Sequence, residues 1–302
     1  MWLDDGGTML SSALRLTAPL AFATCGEYLA ERAGTLNISV EGMMLSGAFG
    51  AVAIGSSTGS ATVGLLAGAL IGLLVAMIHA NLSHRIQINT FVVGLVINAL
   101  ALGLTSYLLQ LSDFGVVRVA NVRVSGLADV PLLGVVFAQP WPFYLLLVVV
   151  PATWYIVART RWGLKLRAVG ENPQAADVSG IKVNLRRRQA LIWCGLMSGL
   201  GGAFLSVGLV GSFNTNMTAG RGFIVIAAVI FGAWRLKGTL LGCLLFGAAD
   251  ALRLTLPALG LELNPQLLVA APYLLALGVM VLMAQSQREP RALSKPFERG
   301  LV

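Results

Sequence analysis

The sequence predicts an all-α fold: a polytopic membrane protein of about nine transmembrane helices, with its N-terminus outside and its C-terminus in the cytoplasm. Three observations carry this. Of the 302 residues, 57% are hydrophobic and 11% charged, where a soluble domain carries about 25% charged residues. The apolar runs are about 18 to 24 residues long and do not alternate, which fits helices crossing hydrocarbon and not barrel strands. The basic residues stand between those runs, where they orient the chain and meet lipid headgroups. The net charge of +8 therefore does not point to nucleic acid.

The chain opens Met1-Trp2-Leu3-Asp4-Asp5, acidic where a cleavable signal peptide is basic, so the first apolar run is expected to be retained. Spans are placed at 9–30, 34–55, 61–80, 88–111, 140–158, 189–211, 219–234, 239–256 and 266–284. The third, from Ala61 to Ala80, has no charge and many small residues that let helices pack closely. The seventh is the weak one. Its 16 residues rise only about 24 Å, so it is either a thinned or tilted span or a half-span that turns back.

Charge decides between these. The segment 159–188 holds Arg159, Arg161, Lys165, Arg167, Lys182, Arg186, Arg187 and Arg188 against Glu171 and Asp177, which makes it cytoplasmic. The tail after 284, with Arg288, Arg291, Lys295 and Arg299, is expected on the same side. An even number of crossings must separate the two, so 219–234 is read as a full span. Counting back gives a cytoplasmic Arg85 and an outer loop at 112–139 whose charges cancel. Residues 1–284 then form one transmembrane domain, and 285–302 a basic cytoplasmic tail.

Composition leaves few places for chemistry. There is no GxxxxGK[ST] phosphate loop, and the glycines lie inside apolar runs. Cys25, Cys194 and Cys243 sit in apolar segments without CxxC spacing and read as small buried hydrophobes. His79 and His84 flank an interfacial Asn-Leu-Ser without a cysteine or carboxylate cluster, so neither a metal site nor a cofactor is expected. What stands out is polar residues at membrane depth, where a charge costs about 3 kcal/mol or more. These are Arg15, Glu27, Glu41, Asp250 and Arg253, with Asn37, Asn89 and Asn98. Asp250 and Arg253, three apart, are expected to pair on one helical face.

Two segments are more informative. Residues 25–42, CGEYLAERAGTLNISVEG, put Glu27, Glu31, Arg32, Asn37 and Glu41 between apolar stretches. This reads either as a short cytoplasmic hairpin with solvated charges or as a broken helix lining a cavity. In the basic segment, Gly170-Glu171-Asn172-Pro173 precedes Ala175-Ala176 and Gly180. Asn172 is biased away from helix, Pro173 suits a first helical turn, and Gly180 ends it. A short helix between basic flanks serves either as a docking knob or as an ordinary loop helix on the headgroups.

At these segments the chain resembles a known family. ERAGTLNISVEGMMLSGAFGA (31–51), AVGENPQAADVSGIKV (168–183) and NMTAGRGFIVIAAVIFGAWRLKGTLLG (216–242) are similar to permease subunits of bacterial ABC importers. The branch is that of simple-sugar, branched-chain amino-acid and nucleoside permeases, and the likeness runs from about residue 9 to 284. The form ERAG-LNI--EGMML is closest to the shorter permease of nucleoside importers; sugar-type members carry G-IDLSVG instead. The resemblance implies a multi-pass protein of the bacterial inner membrane that is not itself an enzyme. It implies a second permease subunit of different sequence, cytoplasmic ATP-binding subunits that hydrolyse ATP, and an extracellular substrate-binding lipoprotein. The short helix, with Gly170, Glu171, Asn172, Pro173, Ala175, Ala176 and Gly180, would couple to the ATPase.

The implied substrate is a nucleoside, with a simple sugar or other small polar solute as the alternative. A secondary transporter fits less well, because the two halves show no repeat and the carboxylates cluster towards one face. A weak path for a neutral solute needs hydrogen-bonding groups beside apolar walls. Asn37, Ser39 and Glu41 beside the expected helix break, and Asn98 within the 88–111 run, are the expected pathway residues. Asn98 has a competing reading as an ordinary interhelical tie.

Overall fold

The computed structural model describes residues 2–123, 126, 134–258, 270, 274, 278 and 289–297. The described residues are almost wholly helical. In order come α1 (Trp2–Arg32), α2 (Val40–Thr58), α3 (Ala61–His84), α4 (Thr90–Gln110), α5 (Leu146–Arg159), α6 (Arg161–Glu171), α7 (Pro173–Val178), α8 (Val183–Ala203), α9 (Arg221–Phe231) and α10 (Leu236–Ala258). A two-stranded ribbon, β1 (Asn121–Arg123) and β2 (Ala138–Pro140), pairs antiparallel with Val122 opposite Gln139.

Four stretches among the described residues are long and apolar enough to cross a membrane, namely Ala61–His84, Thr90–Gln110, Trp141–Arg159 and Val183–Val210. The 31-residue α1 and 23-residue α10 also have the length, about 46 and 34 Å. The expected span 266–284 lies outside the described residues, save for Ala270, Leu274 and Gly278.

The core is built on α8, which packs against α1, α2 and α3. Small residues make this possible. A methyl group on Gly47 would meet the Gly199 Cα at 2.6 Å, and one on Gly199 would meet the Gly72 Cα at 2.8 Å. The backbones of α2, α3 and α8 therefore touch directly, the usual means of association where lipid supplies no hydrophobic drive. Outward faces of α3, α4 and α5 expose Leu66, Leu70, Leu74, Leu95, Val96, Leu100, Leu147 and Val148, as a lipid- or subunit-facing surface should.

The two ends of the bundle differ. At one end lie α6, α7 and the tail. Ala292 donates its N–H to Gly170 O at 2.9 Å, and Ser294 donates to Gly34 O at 3.1 Å. The segment 159–188 and the tail thus share one end. At the opposite end, Gly7 approaches Val135 and Arg15 donates to Gln139 Oε1 at 3.0 Å. The polar side chain of Arg15 is thereby held by the ribbon.

The structure corrects two of the expected spans. The second was placed at 34–55, but α2 starts only at Val40, and residues 33–39 form an irregular break after α1. The seventh is not a thinned continuous helix. After α8 the chain passes through a π-helical turn, Phe204–Val210, and Gly211 lies beside Val116 and Arg118 at the ribbon end. Residues 212–220 then return without helix as far as α9, whose 11 residues span about 16 Å. The Nε1 of Trp234, just beyond α9, donates to Glu31 at 2.6 Å, and Glu31 is in the last turn of α1. The crossing is therefore complete but broken, half irregular backbone and half helix. Gly211, Asn216, Ala219 and Gly220, all at positive φ, rule out a continuous helix.

Candidate functional site

Irregular backbone inside a membrane protein needs a partner for every exposed N–H and C=O. The break at 33–39 meets this with side chains. Glu27 Oε1 accepts the Asn37 N–H at 3.0 Å, and Asn37 Oδ1 accepts the Ser39 N–H at 3.1 Å. Asn98 Nδ2 donates to Ile38 O at 2.9 Å, while its Oδ1 accepts the Gly42 N–H at 2.8 Å. Arg187 Nε donates to Ala33 O at 3.3 Å. Most polar residues of 25–42 are therefore not solvated: Glu27, Glu31, Asn37 and Ser39 are fully buried, and Arg32 is partly buried.

A continuous polar chain runs from this break. Ser39 Oγ donates to Asn37 Oδ1 at 2.7 Å, so the 2.6 Å contact between Ser39 Oγ and His79 Nδ1 is made with Nδ1 as donor. His79 Nε2 then accepts from Thr90 Oγ1 at 2.9 Å. At the other end, Cys194 Sγ lies 3.2 Å from both Asn37 Nδ2 and Glu27 Oε2. Cys194 is buried and free, but it belongs to this network and is more than a small hydrophobe.

The break also holds the broken crossing. Glu41, in the first turn of α2, accepts the Thr218 hydroxyl at 2.6 Å and the Gly220 N–H at 2.8 Å on Oε1. Its Oε2 accepts the Gly222 N–H at 2.6 Å. These donors form the N-terminus of α9, where free N–H groups and the helix dipole favour an anion. The position is deep: Gly42, the next residue, bonds Asn98, which lies about 12 Å along α4 from Thr90. A methyl on Gly222 would meet Glu41 Cα at 2.5 Å, so only glycine lets α9 come this close. Arg221 beside it donates to Asp250 at 2.7 Å, and Arg253 lies 3.0 Å from the same carboxylate. The expected Asp250–Arg253 pair is present and has a third member.

Expected pathway residues therefore gather in one place. Asn37, Ser39 and Asn98 serve the break, Glu41 holds the start of α9, and the amide of Asn98 is engaged in the interhelical tie described above. Sequence reasoning missed the segment they support. Asn214, Thr215 and Asn216 are exposed on the irregular half of the crossing, and Phe223 on the first turn of α9 is 46% exposed. An Asn-Thr-Asn run before a short apolar helix was the available signal.

The second site is the short helix, and its local structure follows the sequence closely. Asn172 Oδ1 caps α7 by accepting the Ala175 N–H at 3.0 Å, Pro173 takes the first position, and Gly180 ends the turn at φ +79°. Gly170 plays a different part from the sharp turn its type suggests. It lies within α6 against the Arg32 carbonyl and Gly34, where a side chain has no room. Pro173 and Ala176 face inward, and Ala176 packs with Val169, Val183 and Phe297 of the tail. Glu171, Ala175 and Val178 face outward, and Val178 is 90% exposed. Arg187, counted in the sequence only as an orienting charge, is 1% exposed. Besides Ala33 it bonds the Lys295 and Ala292 carbonyls at 2.7 and 3.3 Å, tying α8, the break and the tail together.

Comparisons with known proteins agree with this architecture. Residues 9–284 match the family described as branched-chain amino acid transport system, permease component. The nucleoside ABC transporter permease protein NupC of Lactococcus lactis is 35% identical over 300 residues, 94% of each chain. The putative glucose ABC transporter permease protein TsgC13 of Haloferax volcanii is 34% identical over 322 residues, 97% of this chain and 98% of its own. The guanosine ABC transporter permease protein NupQ of Bacillus subtilis is 32% identical over 309 residues, 97% of each. With a family match over nearly its whole length and full-length relatives above 30% identity, this multi-pass membrane protein belongs to the family of branched-chain amino acid transport system permease components.

Proposed function

We propose that the chain is a permease subunit of an ATP-driven importer of nucleosides. The observation that carries the reading is the broken crossing. Polar, exposed, irregular backbone at membrane depth is tolerated only against water or protein, so Asn214, Thr215 and Asn216 face a solute path, closed on its far side by a second permease. Asparagine and threonine side chains offer neutral donors and acceptors, and Phe223 offers an aromatic wall. This suits a flat base and an uncharged ribose better than a charged solute. Asn37, Ser39, Glu41 and Asn98 support that lining from behind, which makes them pathway residues at one remove.

The basic end faces the cytoplasm, because its Arg and Lys residues would otherwise have to cross the bilayer. There α7 docks with Glu171, Ala175 and Val178 on a cytoplasmic ATP-binding subunit that hydrolyses the ATP. Asn172, Pro173 and Gly180 shape the helix, while Gly170 and Ala176 seat it on the rest of the chain. The second permease is a different chain, and an extracellular binding lipoprotein delivers the solute. A sugar is the second reading, favoured by the identity to the putative glucose permease.

The test is reconstitution. The purified chain alone should hydrolyse no ATP and concentrate no solute in proteoliposomes. With both ATP-binding subunits, the second permease and the binding protein, it should accumulate labelled nucleoside only when ATP is inside the reconstituted machine's cytoplasmic compartment. Uphill uptake by the isolated chain on a proton or sodium gradient would overturn the proposal.

A further inference from the structure

One cavity lies away from the path and the coupling helix. It has a volume of about 750 Å³ and is lined by Tyr28 and Arg32 of α1, Trp154 and Val157 of α5, Arg167 of α6, and the turn from Phe231 to Gly238 that joins α9 to α10. That volume is within the range of small-molecule sites, about 300–1,000 Å³.

Its walls are of two kinds. One wall is apolar, formed by Trp154, Val157, Phe231 and Leu236, and Trp154 is 46% exposed beside Tyr155, 58% exposed, on the same helix. At the basic end stand four cations, Arg32, Arg167, Arg235 and Lys237, and no carboxylate is among the described lining residues. The Nε groups of Arg32 and Arg167 are buried without a hydrogen-bond partner among the described residues. Arg32 sits 5.9 Å over the Tyr28 ring, which orients the guanidinium without giving it an anion. Buried guanidinium N–H groups without acceptors are costly, and four cations around one hollow repel one another until an anion enters.

We propose that this cavity binds the headgroup of an anionic phospholipid from the cytoplasmic leaflet. The phosphate takes the Arg32 and Arg167 guanidinium groups, for which a fork-shaped donor is suited. The exposed Arg235 and Lys237 close over the glycerol end, and the acyl chains leave along Trp154 and the lipid-facing side of α5. Basic pockets between transmembrane helices at this level have the chemistry for such headgroups. The occupant braces the α9–α10 turn, which is the cytoplasmic end of the broken crossing.

The experiment uses the full chain purified in detergent and native mass spectrometry, with phosphatidylglycerol and phosphatidylcholine added at equal concentration. Phosphatidylglycerol should be retained in preference, and the double variant Arg235→Gln/Lys237→Gln should lower that preference by about fivefold for each cation removed. Both side chains are exposed, so this variant keeps the fold; Arg32→Gln should reduce retention further. Equal retention of the two lipids overturns the proposal. So does displacement of the lipid by millimolar glycerol phosphate, which would mark a site for a free phosphate. Undiminished lipid preference in the double variant, with capture of the ATP-binding subunit lost, would mark the face as a protein contact and overturn it too.

Discussion

Glu41 Oε2 accepts the Gly222 N–H at 2.6 Å, joining residues 181 positions apart in sequence. The contact fixes where α9 begins, because the same carboxylate takes the Thr218 hydroxyl and the Gly220 N–H. A half-helix ending inside a membrane leaves its first N–H groups without water, and here one side chain from α2 answers them.

Glu41→Ala should therefore leave buried donors unanswered, at a cost of about 3 kcal/mol or more. Glu41→Gln keeps the shape and one acceptor oxygen and should cost roughly half as much. The melting temperature of the assembled transporter in detergent measures both. If the alanine variant melts with the parent, Glu41 does not hold α9.

The outward and inward faces of α7 should separate in their effects. Val178→Glu alters a side chain that is 90% exposed, so thermal stability should stay within about 0.5 kcal/mol while binding of the ATP-binding subunit falls at least tenfold. Phe297→Ala should instead destabilise the seat of α7 by about 2–3 kcal/mol through loss of the contact with Ala176. Ala176→Trp overpacks that same seat. Unchanged subunit binding by Val178→Glu, measured on immobilised permease, would show that α7 does not dock through this face.

Lining and support should separate in the same way. Asn214→Ala, and Asn216→Gly to keep its left-handed backbone, should change the uptake ratio of purine to pyrimidine nucleosides with normal assembly. Asn37→Ala and Asn98→Ala should lower the yield of assembled complex, since each strips a partner from buried backbone. Selectivity that moves only with Asn37 and Asn98 would reverse the two roles.

Gly47→Leu or Gly199→Leu should abolish folded protein, because the added side chain meets backbone of the neighbouring helix and no rotamer relieves it. Gly103→Ala is the control. Its Cβ would meet nothing within 4 Å, and it should fold at least as well as the parent. Size-exclusion chromatography of fluorescently tagged chains reads both results.

Much of this protein is set by local sequence. Hydropathy fixes the long helices, because an apolar run of sufficient length has no other way to satisfy its backbone in lipid. The non-helical Asn172, the first turn at Pro173 and the end of α7 at Gly180 were legible for the same reason, since each depends on neighbours within a few residues. The choice between a solvated hairpin and a buried break at 33–39 was not legible. It depends on Asn98, Arg187 and Glu27 arriving from three other helices to bond the backbone there. Nor did any local pattern tell that Arg187 is buried, that Ala176 rests on Phe297, or that residues 212–220 cross without helix. Hydrophobicity and turn chemistry are read residue by residue, so the sequence alone determined the membrane class, the long spans and α7. The broken crossing and its carboxylate cap were decided only in the tertiary structure, because a buried N–H is satisfied by whichever acceptor packing brings within about 3 Å, at any distance along the chain.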